Sequence, residues 1–260
     1  MQIKNAEGEV LLTLEADTLQ EVDLAGANLA GANLRGLCLR WANFQDADLT
    51  GADLSEADLR WAKLNGANLS GANLSGANLE RASLIRVNLC RVNLTGAILH
   101  CADLSDANLT WATLKSANLR NADVRSANLP WVNLEGVDLR GADFLWANLE
   151  YAKLKGADLR GANLRGANLR GADLTDVDLE STDISNADLR NAKLANNVLR
   201  FEGMPWEVMI VGKYLRMGRQ YHTIDAWDTF SDEEIDNMGK DVLVFWKAKK
   251  DMLLGIARLI

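Results

Sequence analysis

The sequence predicts an all-β solenoid for about three-quarters of its length: a square, parallel β-helix of about nine coils, with an N-terminal hairpin cap and a mainly helical C-terminal cap. Three observations carry this. Every fifth residue from Leu19 to Leu199 is Leu, replaced only by Phe44, Val124, Phe144 and Ile184. A small residue, usually Ala, stands two positions before it, and the two positions after it are rich in Gly, Ser, Asn and Asp. A period of five fits neither a helix nor a simple strand, so the chain turns a corner once per unit.

From Val22 the units read VDLAG, ANLAG, ANLRG, LCLRW and ANFQD, and 36 of them run to NVLRF at 197–201. If the first three positions are extended, the Ala and the Leu point to one side and the Asn or Asp between them to the other. The last two positions make the turn, and their residues tolerate turn dihedrals. Four bends close a coil of about 20 residues, and stacking at about 4.8 Å gives a rod on the order of 40 Å long.

The tandem (A/V)(N/D)LXX pattern over 19–201 resembles the pentapeptide-repeat family. The resemblance implies a right-handed quadrilateral β-helix, with the central Leu or Phe and the small residue before it inside and the other three positions outward. A narrow coil has no room for a second large side chain, so Val22, Leu37, Val87, Val92, Val132, Val137 and Val177 are expected to swell it locally.

Open coil ends expose unpaired backbone and apolar side chains, so both need covers. The expected division is 1–18 as a β cap, 19–201 as the β-helix and 202–260 as a capping segment, strand then helices. Met1–Asn5 and Glu9–Glu15, joined through Ala6-Glu7-Gly8, read as a hairpin laying Val10, Leu12 and Leu14 over the first coil. After Phe201, Trp206–Val211 reads as a strand, and Ser231-Asp232-Glu233-Glu234 has the form of a capping box, starting a helix near Asp232. Gly239 is expected to break it, and Asp241–Leu259 is a second helical candidate. That last segment carries Val242, Leu243, Phe245, Trp246, Met252, Leu253, Ile256 and Ile260, a broad apolar face suited first to a cap, then to a dimer contact, and least to a membrane surface. The stretch Arg216–Met238 resembles a tail of some bacterial and phage pentapeptide-repeat proteins.

Positions 20 apart should stack into columns, and departures from the consensus mark candidate sites. Positions 28 to 188 in steps of 20 are seven Asn and two Asp, a ladder for side-chain hydrogen bonds along the axis. Arg40, Arg60, Arg120, Arg140, Arg160 and Arg200 share one column, interrupted by Glu80, His100 and Glu180, with Asp58, Asp138, Asp158 and Asp178 alongside. Either this is a salt-bridge lattice, or Arg120, Arg140 and Arg160 form a basic strip for a phosphate backbone or an acidic protein surface. Aromatic residues invade the second turn position: Trp41 and Trp61 in one column, Trp111, Trp131 and Tyr151 in another, with Trp146 one corner away. Exposed Trp clusters on a rod that needs no further core mark a protein interface, unless the C-terminal segment folds over them.

The remaining features set bounds. With 28 basic and 36 acidic residues the chain is acidic, which argues against direct nucleic-acid binding. The start MQIKNAEGEV lacks a signal-peptide pattern and no run of 18 apolar residues occurs, so a cytoplasmic protein without a membrane partner is expected. Cys38, Cys90 and Cys101 lack metal-ligand spacing and read as free thiols. A regular rod offers no concave site, His100 and His222 have no ligand set around them, and neither catalysis nor a cofactor or metal is expected.

Two functions follow as expectations. The first is a non-enzymatic scaffold presenting Trp41, Trp61, Trp111, Trp131, Trp146, Tyr151, Arg120, Arg140 and Arg160 to a protein partner, as a monomer or as a homodimer through the C-terminal helix or an aromatic column. The second follows from the resemblance, since some family members mimic duplex DNA, bind the type II topoisomerase DNA gyrase and protect it from quinolones. The acidic residues Asp173, Asp176, Asp178, Glu180, Asp183 and Asp188 favour it; the Arg column and the absence of insertion loops oppose it.

Overall fold

A computed structural model describes residues 1–179, 181–195, 198–201, 204–239 and 241–257. The repeat winds as a coil in which the middle outward residues bridge in parallel to the residue 20 further on, from Asp23↔Asn43 to Asp173↔Lys193, with Asp158↔Asp178 missing from the series among the described residues. Four units therefore make one turn. Three backbone bonds tie a typical unit to the coil above, as in Leu129 N–H to the Asn148 carbonyl (2.7 Å), Trp131 N–H to the Glu150 carbonyl (2.9 Å) and Asn148 N–H to the Ala127 carbonyl (2.9 Å). Within the corner, Val132 N–H reaches back to the Leu129 carbonyl (3.2 Å) and Trp131, the second turn residue, has φ 55°, the signature of a type II turn.

This geometry explains the composition. Central residues from Leu29 to Leu189 are at most 1 % exposed, Phe44 and Phe144 included, and the Ala positions between them are nearly as deep. Val87, Val92, Val132, Val137 and Val177 are equally buried, and the bridges beside Val87, Asn88↔Asn108, and beside Val132, Asn133↔Lys153, keep their register. Leu37 departs from expectation: it is 36 % exposed, while Val22 is only partly buried. Both belong to the first coil, which has no coil beneath it.

At the N-terminus, β1 (Gln2–Lys4) and β2 (Val10–Thr13) form an antiparallel pair. Lys4 accepts from Asn33 N–H (2.8 Å), and Ile3, with Leu11, Leu12 and Leu14, packs on the first coil. Val10 does not; it is 47 % exposed. The pairing shifts by one residue between Ile3↔Leu12 and Lys4↔Val10, and this irregularity interrupts the alternation that would have turned Val10 inward.

The C-terminal segment carries more sheet than expected. β3 (Val198–Phe201), β4 (Val208–Val211), β5 (Tyr214–Met217) and β6 (Gln220–Thr223) form one antiparallel sheet in that order, followed by α1 (Ile224–Thr229), α2 (Asp232–Asp236) and α3 (Val242–Ala257). The two added strands follow from two-residue turns, Gly212-Lys213 and Gly218-Arg219, each with Gly first at positive φ, as hairpins of the II′ kind require. Although the five-residue pattern runs to 201, Val198–Phe201 pairs antiparallel with β4, and Leu199 in the central slot is 36 % exposed. Asn197 lies outside the described residues.

Thr223 caps α1, and Ser231 caps α2 through a reciprocal box with Glu234. The first turn of α3 lies near Gly239, whose φ of 154° few other residues adopt. Val242, Phe245, Trp246, Leu253, Leu254 and Ala257 of α3 turn inward around Trp227, whose indole N–H donates to the Leu215 carbonyl (2.7 Å). Met252, expected on that face, is 40 % exposed; the inward positions follow the helical i, i+3, i+4 spacing that leaves it outside. Leu259 and Ile260 lie outside the described residues.

Arg216 joins this segment to the last coil. In the stack, Asp188 N–H donates to the Ala167 carbonyl (2.9 Å), so the Ala187 carbonyl should receive residue 208. Val208 is instead paired with Phe201, and Arg216 Nη2 donates to Ala187 O at 2.5 Å. The Arg216 side chain is 6 % exposed, with Glu207 at 3.5 Å and the Gly218 carbonyl accepting from its Nε (3.0 Å).

Candidate interaction surface

Nearly every unit from Val22 to Asn191 ends on a residue at φ near +60°, a conformation that Gly occupies freely and that costs other residues roughly 1–2 kcal/mol. Gly fills many of these corners, yet Trp41, Trp61, Trp111, Trp131, Trp146 and Tyr151 hold φ between 55° and 61°. Part of the cost returns through ring contact. Trp41 and Trp61 stack at 4.9 Å and 5°, Trp111 and Trp131 at 5.0 Å and 6°, and Trp131 and Tyr151 at 5.7 Å and 15°. A stacked pair returns about 0.5–1.5 kcal/mol. Tyr151 rests on Gly171 and Trp146 on Gly166, where any Cβ would collide with the ring.

These rings remain outside. Trp146 is 61 % exposed and Trp111 53 %, and α3 packs on its own sheet rather than over them. Trp146 has the least reason to be where it is, since among the described residues no aromatic partner stacks on it. Replacing Trp146 with Gly should leave the thermal midpoint unchanged or slightly raised, because strain relief offsets the lost contact. A drop of several degrees would show that the ring is structural.

The Arg column is largely neutralised. Arg40 and Arg60 share Asp58 (2.5 and 2.7 Å), Arg140 holds Asp138 (2.6 Å) and approaches Asp158 (3.6 Å), and Arg160 holds Asp158 (2.6 Å). Arg120 has no ion pair among the described residues; its carbonyl meets His100 Nδ1 at 2.8 Å. Arg200 leaves the column for β3, where it bonds the Leu189 carbonyl and Glu207 (both 2.8 Å). Glu180 lies outside the described residues.

The guanidinium hydrogen bonds hold the Asp138, Asp158 and Asp188 carboxyls below the usual carboxylate range, through Arg140, Arg160 and Arg190 respectively. A carboxyl depressed in the folded state contributes stability above its unfolded pKa, about 3.9, and loses it as pH falls through the folded value. The thermal midpoint should therefore hold down to about pH 4 and then fall. An Asp138→Asn/Asp158→Asn variant with the same acid slope would remove these pairs from the explanation.

The register separates the expected site residues. Positions ten apart lie two corners away, so Arg120, Arg140 and Arg160 are diagonally opposite Trp111, Trp131 and Tyr151. Trp41 and Trp61 share the Arg corner, beside Arg40 and Arg60. Trp146 lies on the corner between, and the face joining it to the Trp111 column carries the Asn ladder: Asn148 donates to Asn128 (2.9 Å) and Asn168 to Asn148 (3.0 Å). Thr110 interrupts the ladder by accepting from Asn128 (3.1 Å). One flat partner therefore meets the Trp111 column and Trp146 together, but not the Arg120 column.

The acidic stretch is interleaved with cations: Asp173 with Lys193 (3.6 Å), Asp176 with Lys155 (3.8 Å) and Asp188 with Arg190 (2.6 Å). Cys101 Sγ lies 3.4 Å from His100 Nε2. Among the described residues no group of three or more His, Cys, Asp or Glu side chains could hold a metal, and no helix is long and apolar enough to cross a membrane.

A coil built from four five-residue units, with Leu and Ala inside and turns at every corner, defines a quadrilateral β-solenoid. The chain belongs to the pentapeptide repeat family, whose model matches in 8 copies spread over 18–201 and whose members wind as right-handed quadrilateral β-helices. It is similar to HetL of the cyanobacterium Nostoc sp. strain PCC 7120, a pentapeptide repeat protein involved in regulating heterocyst differentiation: 32 % identity over 70 % of this chain and 91 % of HetL, TM-score 0.51. A trypsin-treated form of QnrB1, a plasmid-mediated fluoroquinolone resistance protein, shares 24 % identity over 67 % of this chain and 92 % of its own, TM-score 0.40. A pentapeptide repeat protein of the Arabidopsis thaliana thylakoid lumen shares 33 % over 42 % and 66 %, TM-score 0.25. The last two superpose too loosely for their roles to bear on this chain. No curated protein sequence matches it.

Proposed function

We propose that this protein is a non-enzymatic interaction scaffold whose contact surface is the aromatic edge Trp111, Trp131 and Tyr151 with Trp146 across the Asn face. One observation carries the reading: large rings occupy strained corner positions, stay half-exposed, and are left uncovered by the C-terminal segment. Such rings are the usual anchors of protein interfaces. The hairpin β1–β2 and the β3–α3 segment act as caps on a rod of about nine coils, keeping its ends from pairing with other chains. The similarity to HetL, a family member involved in the regulation of heterocyst differentiation, is consistent with a role exerted by binding.

The test is capture of partners from the native host with wild-type protein and with a Trp111→Ser/Trp131→Ser variant. Loss of specific partners in the variant is expected, and equal capture would remove the aromatic edge from the site. The gyrase reading is the weaker one here, because Asp173, Asp176 and Asp188, three of the six acidic residues that would imitate phosphates, are paired with Lys and Arg. A supercoiling assay separates the two, with no change in gyrase activity or quinolone sensitivity expected.

A further inference from the structure

The face between the Trp146 corner and the Trp111 corner differs in charge from the rest of the molecule. The chain has a net charge of −8, yet between residues 85 and 171 this face carries Arg86, Arg91, Arg125, Arg165 and Arg170 against Asp106 and Glu150; Arg125 is held by Asp123 of the adjoining face (2.5 Å), the other four less closely. Their pairing is loose: Arg86 lies 4.0 Å from Asp106 and Arg170 3.5 Å from Glu150, and neither Arg91 nor Arg165 has an ion pair among the described residues. Arg91 stands one coil below Trp111, while Arg165 and Arg170 stand one coil above Trp146 and Tyr151, whose N–H groups donate to their carbonyls (3.1 and 2.9 Å). The aromatic rims are thus bracketed by cations at both ends, with the partly buried Asn ladder as a flat floor between them.

We infer that this face binds an acidic, extended polypeptide segment lying along the rod axis. The inference rests on the scaffold reading above and adds the chemistry of the partner. Carboxylates spaced along such a segment reach the guanidinium groups at either end, which offer two parallel N–H donors each. Its apolar groups meet the ring edges between.

A single-stranded nucleic acid also seeks Arg and aromatic rings, but it needs free ring faces for its bases. Here both faces of Trp131 are covered by Trp111 and Tyr151, and Gly171 and Gly166 cover one face each of Tyr151 and Trp146. What the rod presents is mainly a row of edges, which suits side chains better than bases.

The probe is fluorescein-labelled poly-L-glutamate, titrated by anisotropy at low and at physiological salt, with oligo(dT) in parallel. Wild-type protein is expected to bind the polyglutamate, more weakly as salt rises. An Arg91→Glu/Arg165→Glu variant is expected to lose about tenfold or more in affinity. Arg120→Glu, at the diagonal corner, is expected to bind as wild type. Circular dichroism establishes that both variants are folded.

Absence of polyglutamate binding, or equal binding by the Arg91→Glu/Arg165→Glu variant, overturns the inference. Tighter binding of oligo(dT) than of polyglutamate overturns it in favour of a nucleic acid. Failure here leaves the scaffold reading intact if the Trp111→Ser/Trp131→Ser variant still loses its captured partners.

Discussion

Phe144→Ala should lower the stability of the rod by about 3–5 kcal/mol, the upper range for a buried aromatic truncation. Phe144 is fully enclosed, and Val124, one coil below in the same interior column, is smaller than the usual Leu, leaving volume for the ring. Most cores relax partly around a deletion. This one is walled on four sides by backbone hydrogen bonded to the coils above and below, as Phe144 N–H is to Asn163 (2.7 Å) and Asp143 N–H to Ala122 (2.9 Å), so collapse would break the ladder. Urea unfolding should show a lower midpoint, and a second transition if the coils on either side uncouple. A loss below about 1 kcal/mol would mean that the wall yields.

Arg216→Ala should cost about 1–3 kcal/mol, because it leaves the Ala187 carbonyl at the last coil without its donor. Burial pulls the Arg216 guanidinium below its ordinary pKa while Glu207 opposes the shift. The substitution would strand the Ala187 carbonyl as well as weaken Glu207, which keeps Arg200 at 2.8 Å. The expected loss is local: limited proteolysis should open the chain after the last coil while far-UV signals of the coils persist. Arg216→Lys should recover little, since one ammonium cannot serve Ala187, Gly218 and Glu207 together. Simultaneous unfolding of the whole chain would show instead that the end segment and the coils form one cooperative unit.

The coil was legible because a single constraint repeats. Each Leu and Ala position reports the same interior, so errors of reading cannot accumulate. The ends were less legible since nothing repeats there. At β2, a one-residue shift in pairing defeated the alternation argument for Val10. At the C-terminus, the Gly212-Lys213 and Gly218-Arg219 turns held the signal for two further strands, but short segments such as VMIV and YLRM resemble helix as much as sheet. The capping box at Ser231 was readable because it is local, both partners lying within four residues.

For the candidate site, spacing alone located the aromatic stacks, since rings 20 apart must meet. It did not convey that Arg120, Arg140 and Arg160 face away from Trp111, Trp131 and Tyr151; that required assigning corners. Nor did it expose the basic face. Arg86, Arg91, Arg170 and the Arg125–Arg165 pair fall in four different columns, so no single column carries a run of Arg, and only closing the square sets them side by side.

The register of 20 has a consequence for how such a chain can change. Deleting one whole pentapeptide keeps every Leu and Ala in its interior slot, but advances the angular phase of everything after it by about 90°, a quarter of the coil. Loss of one unit between Arg91 and Trp111 would swing the aromatic stack away from that Arg without disturbing a core contact type. Loss of four units would only shorten the distance. In this architecture, slippage of a five-residue unit rewires which surface groups are neighbours, while the interior registers nothing.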